Sequence, residues 1–206
     1  MTVPLALAAA ACGVLALAGC AGPSVAEPSI DPTFADLVDV YIAQATANDA
    51  SDEQLATLRH AKEVGRVTYE EVVQAVDRSL QCISDAGFHV ERYGADDSRG
   101  FPMVNYFYEG PPTGNPVADA CLREESEALE QLYQLQPSSI AAENAHLAEV
   151  APRLAQCLHA AGVDVDFEGL RGDELGEAIH EAVNVQIEAS DDGSSPALAC
   201  FVMLSQ

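Results

Sequence analysis

Apolar residues in "DPTFADLVDVYIAQA" fall at Phe34, Leu37, Val38, Tyr41 and Ile42. This is the three-to-four spacing of one helical face, and acidic residues occupy the other side. "SDEQLATLRHAKEVG" opens with Ser51 and carries Gln54 three positions on, a capping box, and it stops at Gly65. The clearest helix is "TYEEVVQAVDRSLQCISDAG", which begins at Thr68 with Glu71 three residues later and ends at Gly87. Tyr69, Val72, Val73, Val76, Leu80 and Ile83 form its apolar stripe, and Glu70, Gln74, Asp77, Arg78, Gln81 and Asp85 lie opposite. Between them runs a strip of small residues, Ala75, Ser79, Cys82 and Ala86, against which a second helix can approach closely.

The period then changes. "FHVERY" and "MVNYFYE" alternate as two strands of a hairpin around the polar loop "GADDSRGFP". A helix is expected from about Val117 to Leu135 after Pro116, and "PSS" interrupts the pattern. A further helix is expected from about Ile140 to Ala161, kinked or split at Pro152. "VDVDFE" alternates like a strand, "GDELGEAIHEAVNVQIEA" reads as a helix, "SDDGSSP" as a turn, and "ALACFVMLSQ" as a short last helix.

An internal repeat organises these elements. "QCISDAGFHV" (81–90) and "QCLHAAGVDV" (156–165) share Gln, Cys, Ala, Gly and Val in register, and Arg78 matches Arg153. Each copy is a helix ending in Ala-Gly, then an extended segment, and later a polar, proline-ended loop and a second cysteine: "NPVADAC" and "SPALAC". Of six cysteines, Cys12 and Cys20 belong to the apolar N-terminal segment, and the remaining four, Cys82, Cys121, Cys157 and Cys200, allow three pairings. Equivalent cysteines should bond inside equivalent units, which selects Cys82–Cys121 and Cys157–Cys200. The expected fold is mainly α with a small β-hairpin, built as two related disulfide-stapled helical units over residues 31–136 and 137–206.

The N-terminus has another character. Val3 to Ala18 is uncharged and mostly Ala, Leu and Val. The run is short for a membrane-spanning helix, which needs about 20 residues, and suits the apolar core of a secretory signal. Leu17-Ala18-Gly19-Cys20 resembles the lipobox of bacterial lipoproteins. The resemblance implies cleavage between Gly19 and Cys20, lipid on the Cys20 sulfur, and a chain anchored at the extracytoplasmic face of the cell membrane. Residues 1–19 are then signal, and "AGPSVAEPSI" with Cys20 forms a flexible tether over 20–30. Met1-Thr2 ahead of the run lacks the Lys or Arg of an ordinary signal, so either a start further upstream or a weak signal is expected.

"GRVTYEEVVQAVDRSLQCISDAGF", "NYFY" and "ADACLREESEALEQLY" are similar to a group of secreted and lipid-anchored proteins of high-GC Gram-positive (actinobacterial) bacteria. That resemblance implies export and a disulfide framework, and nothing catalytic.

Charge narrows the partners. Nine basic residues against 33 acidic give a net charge of −24, with 49% hydrophobic residues. Such a surface repels nucleic acid, so no nucleic-acid partner is expected; a basic or cationic extracytoplasmic partner suits it. Candidate chemistry is sparse. Asp164-Val-Asp166-Phe-Glu168-Gly169 imitates the start of a calcium loop, but the twelfth position is Leu175 rather than Glu. The missing twelfth ligand favours the other reading, a strand with Val163, Val165 and Phe167 inward and the acids in water. Asp191-Asp192-Gly193-Ser194 reads as a turn, with weak cation binding as the lesser reading. His60, His89, His146, His159 and His180 are scattered outside zinc-site spacings. In "YFY", Tyr106 and Tyr108 share one strand face and Phe107 points to the other, either as a ligand platform or as core cover. No catalytic residue, metal or cofactor is expected. The function expected is that of a non-catalytic surface or binding lipoprotein. The alternative is a cell-envelope enzyme or accessory subunit whose site is assembled from distant residues.

Overall fold

The computed structural model describes residues 32–110, 116–189 and 196–202. Its elements are α1 (Pro32–Ala47), α2 (Asp52–Val64), α3 (Tyr69–Asp85), β1 (His89–Arg92), β2 (Tyr106–Glu109), α4 (Pro116–Glu125), α5 (Glu127–Leu135), α6 (Pro137–Ala160), α7 (Gly172–Ala189) and α8 (Pro196–Val202). The fold is mainly helical, with one two-stranded antiparallel hairpin. Among the described residues no helix is long and apolar enough to cross a membrane.

The apolar stripes find one another. Phe34, Val38 and Tyr41 of α1, Leu55 and Leu58 of α2, and Val72, Val76, Leu80 and Ile83 of α3 are buried in one core with Leu129, Leu132 and Tyr133 of α5. Thr68 and Glu71 close the capping box of α3: Thr68 Oγ1 accepts from Glu71 N at 3.3 Å, and Glu71 Oε2 accepts from Thr68 N at 2.7 Å. In the hairpin His89 pairs with Glu109 and Arg92 with Tyr106, and an isolated bridge joins Asp96 to Met103.

The expected helix 117–135 is broken. Ser126 leaves helical geometry at φ −138°, so α4 and α5 are separate helices. The break is stabilised from α2. The Gln54 side chain is fully buried; its Nε2 donates to Arg123 O at 2.9 Å and Glu124 O at 2.7 Å, and its Oε1 accepts from Ala128 N at 3.0 Å. The capping box expected at Ser51 is therefore only half made. Ser51 Oγ accepts from Gln54 N, while Ser51 N donates to Glu124 O at 2.8 Å and the Gln54 side chain is used elsewhere. A second buried glutamine, Gln136, accepts from Val67 N and donates to Val67 O, and its Nε2 also donates to Ser139 Oγ at 3.2 Å. It ties the α5–α6 junction to the α2–α3 junction.

α6 begins at Pro137, earlier than the sequence pattern suggests, and stays one helix through Pro152. It serves both units. Ala142 packs against the first core, and Arg99 grips Glu143 through two bonds of 2.7 Å. Further along, Ala151, Leu154 and Leu158 enter a second core with Phe167, Leu175 and Ile179, joined by Ala197 and Cys200 of α8.

Both disulfides pair as the repeat requires, Cys82–Cys121 and Cys157–Cys200, with sequence separations of 39 and 43. Chain-entropy reasoning assigns a closed loop of this size about 3–4 kcal/mol. The helix ends repeat as well. Phe88 N donates to Ile83 O and Val163 N to Leu158 O, with Gly87 at φ 91° and Gly162 at φ 83°, a left-handed turn that glycine adopts without strain. The repeat stops there. "VDVDFE" forms no strand: Val163, Val165 and Phe167 turn inward and the acids outward, but α7 occupies the place in the chain where the first unit has its second strand. With no backbone partner the segment makes no ladder.

Gln54→Ala leaves two carbonyls and one amide of the α4–α5 junction without their side-chain partner. Each buried orphan costs about 1–3 kcal/mol, so a loss of at least about 3 kcal/mol is expected in urea denaturation. A variant within about 0.5 kcal/mol of the parent would mean that the break does not depend on Gln54.

Candidate functional site

Gly19 and Cys20 lie outside the described residues, as does Asp191-Asp192-Gly193-Ser194. Cys82, Cys121, Cys157 and Cys200 are all consumed in disulfides. The calcium-loop string does not close as a loop. Leu175 is 1% exposed in the second core, Asp166 Oδ1 accepts the backbone N–H of Glu168 at 2.8 Å, and Asp164 and Glu168 face solvent. Among the described residues no group of three or more His, Cys, Asp or Glu is placed to hold a metal ion. The histidines remain apart. His89 bonds Glu91 at 3.0 Å, His159 Nε2 bonds Val165 O at 2.7 Å, and His146 Nε2 is buried without a hydrogen-bond partner.

In "YFY", Tyr106 and Tyr108 pack against the first core while Phe107 remains 47% exposed. The core-cover reading therefore describes the two tyrosines. Tyr106 has a further role that strand alternation could not show. Its hydroxyl donates to Glu130 Oε2 at 3.4 Å. Ser126 Oγ donates to Glu130 Oε1 at 2.6 Å and accepts from Ser79 Oγ at 2.8 Å. The chain Ser79–Ser126–Glu130–Tyr106 thus starts in the small-residue strip of α3, passes through the α4–α5 break, and ends under the hairpin.

Two cavities meet at this point. One of about 330 Å³ is lined by Tyr106, Asp119, Arg123, Glu127, Glu130 and Gln134 among others. The other, of about 270 Å³, shares Tyr106, Glu130 and Gln134 and adds Arg99, Met103 and Tyr133. Burial raises the Glu130 carboxyl above its ordinary range, against the lowering effect of the Ser126 and Tyr106 hydrogen bonds. Burial, reinforced by the nearby Glu130 charge, likewise raises the Tyr106 phenol. Glu130 makes no ion pair among the described residues; only hydroxyls hold it. A carboxyl in this state gives up its proton less readily than a solvated one, and once ionised it can accept a hydrogen bond from a cationic group entering the cavity. Its partners come from positions 79, 106 and 126, so no local motif announced it. The available signal was Glu130 itself, an acid at a core-adjacent position of an amphipathic helix.

The second unit holds the larger opening, a groove of about 430 Å³. Ala148, Ala151, Pro152, Ala155 and His159 of α6 form one wall and residues 165–171 the other, with Leu175 at the base. Asp166 and Glu168 of the calcium-like string stand on its rim. No protein-family model matches the chain, and no curated protein or solved structure is detectably similar to it.

Because burial raises the folded-state pKa of Glu130, the folded chain binds that proton more tightly than the unfolded chain does. The associated stability is present below the ordinary carboxyl pKa of 4.5 and is lost as pH rises through the raised value. Glu130→Gln removes the charge, keeps an acceptor oxygen for Ser126 and places an NH₂ donor against the Tyr106 hydroxyl oxygen. It should melt higher than the parent at pH 8, with the difference shrinking toward zero below pH 4 in calorimetric scans across pH. An equal offset at every pH would remove Glu130 ionisation as the cause.

Proposed function

We propose that this chain is an extracytoplasmic lipoprotein, anchored to the cell membrane by lipid on Cys20, that acts as a binding protein rather than a catalyst. One coincidence carries the reading. A lipobox-like Leu17-Ala18-Gly19-Cys20 follows a short apolar run, and two disulfides staple the folded part behind it. Structural disulfides persist in oxidising compartments outside the cytoplasm, which is where such a signal delivers a chain. Each buried acyl CH₂ contributes about 0.8 kcal/mol to membrane attachment, so two or more chains on one cysteine hold a protein firmly. The resemblance to secreted and lipid-anchored proteins of high-GC Gram-positive bacteria fits the same placement.

The net charge of −24 favours a basic or cationic partner. At physiological salt the field acts only within about 8 Å, so it speeds close encounter more than it deepens affinity. A second reading, an envelope enzyme or accessory subunit, draws on Tyr106 and Glu130, which converge on two cavities from distant parts of the chain.

Cys20→Ala should release the chain to the medium or stall its processing, as read by fractionation of producing cells. Normal maturation with unchanged membrane retention would overturn the anchoring. A partner crosslinked on intact cells should associate about tenfold more slowly when salt is raised from 0.05 to 0.5 M, because the field is then screened within a few ångströms. A salt-independent rate would remove the charge from recognition, and Glu130-dependent turnover of an envelope substrate would establish the second reading.

A further inference from the structure

The two units carry the same helix with the same cap and the same staple, yet one face of it differs. In register with the shared cysteines, Val73, Val76 and Leu80 of α3 correspond to Ala148, Ala151 and Ala155 of α6. The register holds in burial. Ile83 and Leu158 are both 0% exposed, Ser79 and Leu154 at most 1%, and Ala75 and Val150 at most 2%. Val76 and Leu80 fill the first core. The three alanines line the groove of about 430 Å³ instead. A face that is packed in one copy is hollow in the other. A cut from Leu or Val to Ala in a closed core is costly, and here the missing volume remains open to solvent as a groove.

Its shape limits what can lie in it. The α6 wall runs from Ala148 to His159 along one side of the helix, a span of about 16 Å at 1.5 Å per residue. The facing wall includes Val165, Phe167 and Leu170. The groove is long, and apolar residues line both of its sides. Pro152 has no N–H, so the Ala148 carbonyl in this wall lacks its usual donor four residues on. The rim has a definite sign. Asp166 and Glu168 are exposed and join no ion pair among the described residues. Of the basic side chains lining the groove, Arg171 donates from Nη1 to Leu170 O at 2.6 Å, and His159 Nε2 bonds Val165 O at 2.7 Å.

We propose that the groove between α6 and residues 165–171 binds the single alkyl chain of an amphiphile with an ammonium head. The chain lies along Ala148, Ala151 and Ala155. The head sits at the Asp166–Glu168 rim, where its charge meets two exposed carboxylates that join no ion pair among the described residues, Asp166 keeping its bond from Glu168 N, in a strongly acidic protein. An anionic head would meet the same two carboxylates and be repelled. The site is independent of how the chain is attached to a membrane.

The test uses the full chain carrying Cys20→Ala, so that its outcome is separate from that of the anchoring experiment. Decylammonium is titrated below its micelle concentration and followed by NMR shifts of the alanine and leucine methyl groups. Shifts concentrated at Ala148, Ala151, Ala155 and Leu170 are expected, and this readout needs no variant in the groove. The double substitution Ala151→Val/Ala155→Leu restores the side chains of the first unit. It should weaken binding at least tenfold while the protein keeps both disulfides and melts no lower. Asp166→Asn/Glu168→Gln should weaken decylammonium severalfold, and decanoate should bind the unmodified groove at least tenfold more weakly than decylammonium. Absence of groove shifts at millimolar probe, or binding unchanged by the filled groove, overturns the site. Decanoate binding as tightly as decylammonium overturns the head assignment.

Discussion

The first unit depends on the interruption of one helix at Ser126. The break separates α4, whose Cys121 is stapled to Cys82 of α3, from α5, whose Leu129, Leu132 and Tyr133 lie in the core shared with α1, α2 and α3. Interrupting a helix in a buried setting exposes amides and carbonyls that must find other partners. Gln54 meets three of them, and Ser51 N meets Glu124 O again from the same side. Glu125, the last residue of α4, accepts from both Ser51 Oγ and Arg78 Nε, locking the end of that helix to α2 and α3. The same break turns Ser126 toward Ser79 and Glu130, so the polar chain beneath the hairpin follows from the break itself.

One scheme is used twice with different contents. A helix ending in Ala-Gly carries a half-buried cysteine, and a later short helix brings a buried one to meet it. In the first unit the segment after the glycine finds a second strand and becomes a hairpin. In the second it meets α7 and stays irregular. The disulfide tolerates this exchange because it requires only that two helices approach, whatever chain lies between them. The repeated arginine shows the same freedom: Arg78 binds Glu125, whereas Arg153 is exposed.

Four of the chain's nine Lys and Arg residues pair with its own carboxylates. Arg99 makes a two-pronged bond to Glu143, a third bond to Gln134, and lies 5.3 Å from the centre of the Phe101 ring, holding the hairpin loop against α5 and α6. Arg92 pairs with Asp77, and Lys62 with Asp39. What remains toward solvent is mostly acidic. That is why an uncompensated carboxylate on the rim of a groove, or a buried one such as Glu130, favours positively charged company.

Much of this architecture was legible in sequence because it rests on local periodicity and on symmetry between two copies. The stripe of α3, its Thr68–Glu71 box, the hairpin and the cysteine pairing each need only spacing, which covalent geometry converts directly into a helical face, a strand face or a loop length. The lipobox-like Cys20 is likewise a statement of sequence alone. Tertiary structure decided whatever required residues far apart to share polar groups. Gln54, placed by spacing in a capping box, serves a helix junction some 70 residues away, because a buried orphan carbonyl is costlier than a cap left to solvent. "VDVDFE" alternates as a strand should, but a strand also needs a partner's backbone, and alternation carries no information about one. Glu130 and Tyr106 meet only because the break at Ser126 and the hairpin bring them together. The alanines of α6 line a groove rather than a tight helix contact because the side chains opposite them come from an irregular segment whose path no periodicity encodes.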